Sequence, residues 1–160
     1  MRLTRHILPA AMLCIALITP VESHAQALFP SSNGKALAGV KAVDAIVEIQ
    51  AWLGMDGERE RFQANVQSAF ELGLRRDGLV VEKNAPNYLF CEVKLAQAGG
   101  IISYSYQVTY YIFETAGVHR LLWKDGGIVT GGRNKIGIED VAKNCVDTIA
   151  NEWLKWNPRR

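Results

Sequence analysis

The stretch YLFCEVKLAQAGGIISYSYQVTYYIFETAGVHRLLW, which runs from Tyr88 to Trp123, decides the fold. Apolar and polar residues alternate along most of it, which is the pattern of a β-strand with one buried face. Two short links that contain glycine, at residues 98–100 and 115–117, interrupt the alternation. Hairpin turns need glycine where φ becomes positive. The stretch therefore predicts three successive strands in an antiparallel meander.

The central strand of this meander has two distinct faces. One face should pack against helices, and the other should carry mainly small polar residues together with one tyrosine. The first set is Ile102, Tyr104, Tyr106, Val108, Tyr110 and Ile112, and the second is Ser103, Ser105, Gln107, Thr109 and Tyr111.

The rest of the chain adds two strands and two helices. Residues 42–52 alternate like a strand, residues 58–76 repeat apolar positions at three- and four-residue steps, and residues 79–81 form a short strand. A second amphipathic helix covers residues 136–156 and ends before Pro158. These elements predict an α+β fold with a mainly antiparallel sheet of about five strands and two helices packed on one face.

The glycine-rich segment at residues 125–132 lies just before the second helix and invites comparison with a phosphate-binding loop. In that motif a lysine and a hydroxyl residue follow the last glycine, whereas here Arg133 and Asn134 follow Gly132. We therefore interpret the segment as a flexible turn between a strand and a helix.

The first 25 residues have the features of a secretory signal peptide. Arg2 and Arg5 precede an apolar run over residues 7–21, and Ser23-His24-Ala25 fits a cleavage site. Cleavage after Ala25 or Ala27 would release the protein to the periplasm or the medium. We expect a flexible leader over residues 26–41 and a single domain over residues 42–158. No later segment is apolar enough to span a bilayer, so we expect no integral membrane segment after cleavage.

Charge and metal-ligand spacing exclude several functions. The formal net charge of the 160 residues is +2, without clustered Lys and Arg, so we expect no nucleic-acid partner. His119 is the only histidine left after signal removal, and no HxxxH or CxxC spacing occurs. We therefore predict no metal site and no cofactor.

Cys91 and Cys145 are the two cysteines of the mature chain, and each lies on an apolar stripe. An exported protein meets conditions in which disulfides persist. One hypothesis is a disulfide that joins the last helix to the sheet. The alternative is two buried free thiols that act as small apolar side chains.

Five runs of sequence resemble a family of small exported bacterial proteins known only as uncharacterised. The runs are LGLRRDGLVV, PNYLFCEVKL, YSYQVTYYIF, WKDGG and VDTIANEWLKWNP, whose helix ends in Asn157-Pro158. The resemblance extends from about residue 43 to residue 158, and it implies export and an α+β architecture. The family carries no assigned activity, so it implies no catalytic residues here.

The predicted function is a non-catalytic periplasmic binding or envelope-accessory module. Its partner would be a small ligand or an envelope protein, and aromatic side chains among small polar ones on the uncovered sheet face would form the site. A structural homodimer is one alternative. A small hydrolase is another, with His119 and Glu92 or Asp125 meeting only in the fold. The candidate surface consists of Trp52, Tyr88, Phe90, Gln107, Thr109 and Tyr111.

Overall fold

The computed structural model describes residues 34–51, 56–115, 117–132 and 136–158. The predicted signal peptide at residues 1–25 lies outside the described residues, as does the start of the predicted leader. The elements are a 3-10 turn Gly34–Leu37, β1 Ala42–Ala51, α1 Asp56–Asp77, β2 Val80–Val81, β3 Asn87–Ala98, β4 Ile101–Thr115, β5 Val118–Gly132 and α2 Ile138–Trp156.

The five strands form one sheet in the order β2-β1-β3-β4-β5. The predicted meander is present, because β3, β4 and β5 pair antiparallel through turns in which Gly99 has φ 59° and Gly117 has φ 84°. The predicted antiparallel arrangement holds for β3, β4 and β5 but not for the whole sheet, because β1 pairs parallel with both β2 and β3. The helix α1 returns the chain to the end of the sheet where β1 began, so β2 must run in the same direction as β1. The sheet is therefore mixed.

Both helices pack on one face of the sheet, called here the covered face. Val47, Cys91 and Val108 lie side by side in register on this face, and all three are buried. Each helix buries one apolar stripe against them. The stripes are Val66, Phe70 and Leu74 on α1 and Val141, Cys145, Ile149 and Trp153 on α2. None of the helices in the described part of the chain is both long and apolar enough to cross a membrane.

Cys91 and Cys145 form a disulfide that links β3 to α2. Their sulfurs are 2.03 Å apart, their Cα atoms are 6.3 Å apart, and both residues are buried. The structure therefore agrees with the disulfide hypothesis rather than with two free thiols. The bridge joins the sheet layer to the helix layer.

The glycine-rich segment is a strand and not the predicted flexible turn. Residues 125–132 form the second half of β5 and pair with residues 101–108 of β4. Gly127 lies opposite Tyr106, and a Cβ on Gly127 would lie 3.0 Å from the Tyr106 hydroxyl oxygen. The glycine leaves room for the large ring of the neighbouring strand, which local sequence does not reveal.

Part of the predicted leader packs onto the domain. Leu37 is buried, and the indole N–H of Trp153 donates a hydrogen bond to Val40 O at 2.8 Å. Asn157 accepts a hydrogen bond from Gly39 N and donates one to Leu37 O, both at 2.8 Å. The end of α2 therefore holds residues 37–40, and the packed domain begins before residue 42.

Candidate functional site: an aromatic cleft on the open sheet face

The sheet face opposite the helices, called here the open face, carries most of the predicted surface residues. Tyr88 lies in register with Tyr111, and Phe90 lies in register with Thr109. Gln107 lies one row further along, opposite Glu92. No helix of the described chain packs on this face. Trp52 lies outside the described residues.

Four rings at one end of the open face contact one another, and we call them the aromatic cluster: Tyr88, Tyr111, Phe113 and His119. Tyr88 and Tyr111 stack, with ring centroids 5.0 Å apart and an interplanar angle of 18°. His119 meets Phe113 edge-on, with centroids 5.1 Å apart. The Tyr88 hydroxyl and His119 Nδ1 share a hydrogen bond of 2.8 Å. The rings therefore hold one another in place, with offset and edge-on geometries that aromatic pairs prefer.

A cleft of about 530 Å³ opens beside the aromatic cluster. This volume falls in the range of small-molecule sites, roughly 300–1,000 Å³. Most of its lining is apolar or aromatic, with three polar residues. The lining residues are Asp44, Ile46, Asn84, Ala85, Pro86, Tyr88, Phe90, Phe113 and His119.

The wall of the cleft is a loop that crosses β1. Because β2 and β3 lie on opposite sides of β1, residues 82–86 must pass over that strand. Asp44 holds the loop there, since its Oδ2 accepts a hydrogen bond from Asn84 N at 2.9 Å and its Oδ1 accepts one from Ala45 N at 2.8 Å. Asn84 has φ 61°, a left-handed conformation that asparagine tolerates. Asp44 is therefore a loop anchor as well as a lining residue.

The hydroxyl of Tyr88 stays protonated at neutral pH. Removal of its ring from water, together with the adjacent Tyr111, raises the pKa of Tyr88 above the ordinary value of 10.0. The hydroxyl thus remains a neutral hydrogen-bonding group in the lining of the cleft. It can therefore hydrogen-bond without carrying a charge.

The predicted surface residues divide into two groups. Tyr88 and Phe90 line the cleft, and Tyr111 supports Tyr88 by stacking. Thr109 is buried, and Gln107 Nε2 donates a hydrogen bond to Thr109 Oγ1 at 3.2 Å. Thr109 is therefore not accessible to a ligand, although it lies on the predicted face.

The candidate surface predicted from sequence omitted Asp44, Ile46, Phe113 and the loop at residues 84–86, and His119 was considered only for a hydrolase. The turn at Gly117 places His119 opposite Phe113. Once the hairpin is located, this register is a signal that could have predicted their contact. The loop could not be predicted, because its position depends on which side of β1 each neighbouring strand occupies.

The structure does not bring together the groups considered for a hydrolase. His119 pairs with Phe113 and Glu92 pairs with Gln107, positions about 20 Å apart along β4. Asp125 pairs with Val108 and so lies on the covered face. Glu92 forms an ion pair with Lys94 at 3.5 Å. Across the described ranges, no three His, Cys, Asp or Glu side chains are close enough to hold a metal ion.

The fold and the cleft together define a two-layer α+β domain with an open, partly aromatic sheet face. No protein-family model matches the chain, and no curated protein matches it. Solved structures with a similar fold do exist. The PelC dodecamer from Paraburkholderia phytofirmans is 18% identical, with a TM-score of 0.51 over 78% of this chain and 94% of that chain.

A single-substitution variant of the same PelC dodecamer gives 16% identity and a TM-score of 0.47, over 78% of this chain and 92% of that one. A crystal structure described as an uncharacterized protein gives 12% identity and a TM-score of 0.30, over 79% and 91% of the two chains. At these identities the likeness to PelC concerns the fold alone.

Proposed function

We propose that this protein is a non-catalytic binding module that holds a flat apolar group of its partner in the aromatic cleft. The observation that carries the proposal is the cleft itself, which combines fixed aromatic rings with a few polar atoms on a face that no described helix covers. Preformed apolar clefts with few, well-placed polar groups are the usual form of ligand sites.

The charges around the cleft favour a neutral or cationic ligand. Its only formally charged lining side chain is the carboxylate of Asp44, and no lysine or arginine is among the described lining residues. The faces of Tyr88 and Phe90 attract positive charge through their ring quadrupoles. An anionic ligand would lose its hydration without gaining a cationic partner.

Two polar groups can orient the ligand. His119 uses Nδ1 for Tyr88, which leaves Nε2 for a hydrogen bond with the ligand. Asn84 contributes a side-chain amide at the opposite wall. We propose that the apolar group enters between these two polar groups and stacks on the rings.

We also propose that the module works in the periplasm or outside the cell. The signal-like residues 1–25 support this location. A disulfide between Cys91 and Cys145 fits the same location, because such bonds persist in oxidising compartments.

The first test uses N-phenyl-1-naphthylamine, a neutral apolar fluorophore, as the probe. Phe113→Ala removes a ring that is 44% exposed and contacts His119, so it should weaken binding about 3- to 10-fold with little loss of stability. The matched control is Leu72→Ala, which removes a 68% exposed apolar side chain from α1, and it should leave the affinity unchanged. Equal affinities for both variants would refute binding in the cleft.

The second test identifies the natural ligand. Native mass spectrometry of the mature chain from a periplasmic extract should show added mass on the wild type and much less on Phe113→Ala. A wild-type chain without added mass, together with no probe binding, would contradict the proposal. Added mass that both proteins retain would place the ligand elsewhere.

Self-association is the second candidate function. Ile46, Phe113 and Leu121 are large apolar residues that remain exposed on the open face. PelC, a protein with a similar fold, forms a dodecamer. Light scattering of the mature chain over a concentration series tests this candidate, and a monomer at every concentration would exclude it.

A further inference from the structure

The strand β5 is an unpaired edge of the sheet. It spans 15 residues, and in the described part of the chain only β4 pairs with it. Val118, Leu121 and Ile128 on this strand are 51%, 43% and 55% exposed. Long edge strands with exposed apolar residues are templates for pairing with another chain.

At the opposite edge of the sheet, β1 is covered along much of its length by β2 and by side chains of α1. The strand β2 pairs with Ala42 and Val43 at the start of β1. Beyond them, Gln67 Nε2 donates to Ala45 O at 2.6 Å, and Gln67 Oε1 accepts from Val47 N at 2.7 Å. Side chains of α1 therefore take up backbone groups of β1 beyond β2, whereas in the described chain β5 has no second strand beside it.

A bulge in β5 changes which side chains share a face. Trp123 lies opposite Tyr110 and Leu121 lies opposite Tyr111, so Leu122 is an extra residue. As a result, Arg120 and Asp125 both lie on the covered face, although they are five positions apart and would face opposite ways in a regular strand. Their partners on β4, Ile112 and Val108, are four residues apart, so the backbone groups of Arg120 and Asp125 also point the same way.

We infer that β5 pairs antiparallel with β5 of a second copy, about a two-fold axis between Leu122 and Trp123. This register places Arg120 of each copy opposite Asp125 of the other. The two side chains lie on the same face of the sheet, and the backbone N–H and C=O groups of both residues point to the same side of β5. Opposite charges directly across an antiparallel pair are favourable, and the symmetry forms the contact twice. The inference deepens the self-association candidate above and rests on it.

The size of the contact is sufficient for a dimer. Pairing over residues 118–127 of both copies would form about ten main-chain hydrogen bonds, close to the number in a typical protein interface. Gly126 and Gly127 would lie opposite His119 and Val118 of the other copy, which leaves room for those larger side chains. The two sheets would join into one, with both aromatic clefts on the same side.

Arg120 can take part in this contact without losing its present partner. Its Nε lies 2.6 Å from Glu114 Oε1, and its side chain is 58% exposed. A guanidinium has five N–H donors, so it can bind the carboxylate of Asp125 of the second copy as well.

Charge reversal tests the register. Arg120→Glu and Asp125→Arg each place like charges at both contacts of a dimer, so each should weaken dimerisation about tenfold or more in sedimentation equilibrium. Mixing the two single variants should restore the dimer, because a mixed pair has one attractive contact at each end. Restoration on mixing also shows that neither variant is simply unfolded.

The remaining outcomes separate failure of the β5 contact from failure of self-association. A wild-type chain that stays monomeric at all concentrations would overturn both this register and the self-association candidate. A dimer that neither single variant weakens, or variants that do not recover on mixing although both are folded by circular dichroism, would overturn the β5 contact and leave self-association to another surface. The affinity of Phe113→Ala for N-phenyl-1-naphthylamine tests binding in the cleft, whatever the result for the β5 register or for self-association.

Discussion

Gly73 shows how a single residue sets the distance between the two helices. A Cβ atom on Gly73 would lie 2.5 Å from Val146 Cγ2 and 3.1 Å from Val146 Cγ1. Real Cβ contacts are not this short, so any side chain here would push α1 and α2 apart or force Val146 from its position. The glycine therefore allows the close approach that buries both helices on the sheet.

We expect Gly73→Ala to destabilise the protein, which reverses the usual effect of this substitution in a helix. Alanine would gain about 1 kcal/mol from helix propensity, whereas overpacking of a core contact costs about 1–3 kcal/mol. The net loss should be up to about 2 kcal/mol in the free energy of unfolding, measured by urea denaturation of the mature chain.

The double variant Gly73→Ala/Val146→Ala is the control, because it removes the methyl groups that the new Cβ meets. The double variant should lose less free energy of unfolding than the two single variants lose together, by at least about 0.5 kcal/mol. Strict additivity, or a more stable Gly73→Ala, would contradict a steric role for this position.

At the scale of elements, side chains of α1 hydrogen-bond the free backbone edge of β1. Gln67 bonds both Ala45 O and Val47 N, and Gln63 Oε1 accepts a weaker hydrogen bond from Ile49 N at 3.3 Å. These glutamines take the place of a neighbouring strand where β2 ends. They protect the edge of β1 from pairing with another chain.

Gln67→Ala should lower the free energy of unfolding by about 1–3 kcal/mol, because it leaves a part-buried donor and acceptor of β1 without their partner. Urea denaturation measures the loss, and hydrogen exchange at the Val47 amide should become faster. Gln63→Ala is the matched comparison and should cost less, because it removes one longer hydrogen bond. Equal losses would indicate that the glutamines act through packing alone.

At the scale of the whole molecule, one covalent bond joins the sheet layer to the helix layer. Cys91 and Cys145 are separated by 54 residues, so their bond restricts most of the second half of the unfolded chain. Chain-entropy reasoning gives a stabilisation of about 4 kcal/mol for a loop of this length.

Reduction of the mature chain should therefore lower the free energy of unfolding by about 4 kcal/mol, and Cys91→Ala/Cys145→Ala should lose a similar amount. Urea denaturation with and without dithiothreitol measures the change. A thiol count on the unfolded, unreduced chain should find no reactive thiols. Two reactive thiols in that sample would show that the bond does not form in solution.

Local sequence determined the faces of the strands and the helices of this protein. Alternation from Ile102 to Ile112 placed Tyr104 in the core and Tyr111 on the open face, because side chains of a strand alternate with a period of two. The sequence placed Cys91 and Cys145 on apolar stripes but left open whether they bond, and the structure shows the disulfide.

The tertiary structure alone decided the direction of β1 relative to its neighbours and the cleft. Whether β1 runs parallel to β3, and whether residues 125–132 turn or pair with β4, depends on contacts between distant parts of the chain that no local period encodes. The cleft depends on the same contacts, because His119 reaches Tyr88 only through the register of three strands. Periodicity orients each side chain within its own strand, but the order and register of the strands determine which side chains meet.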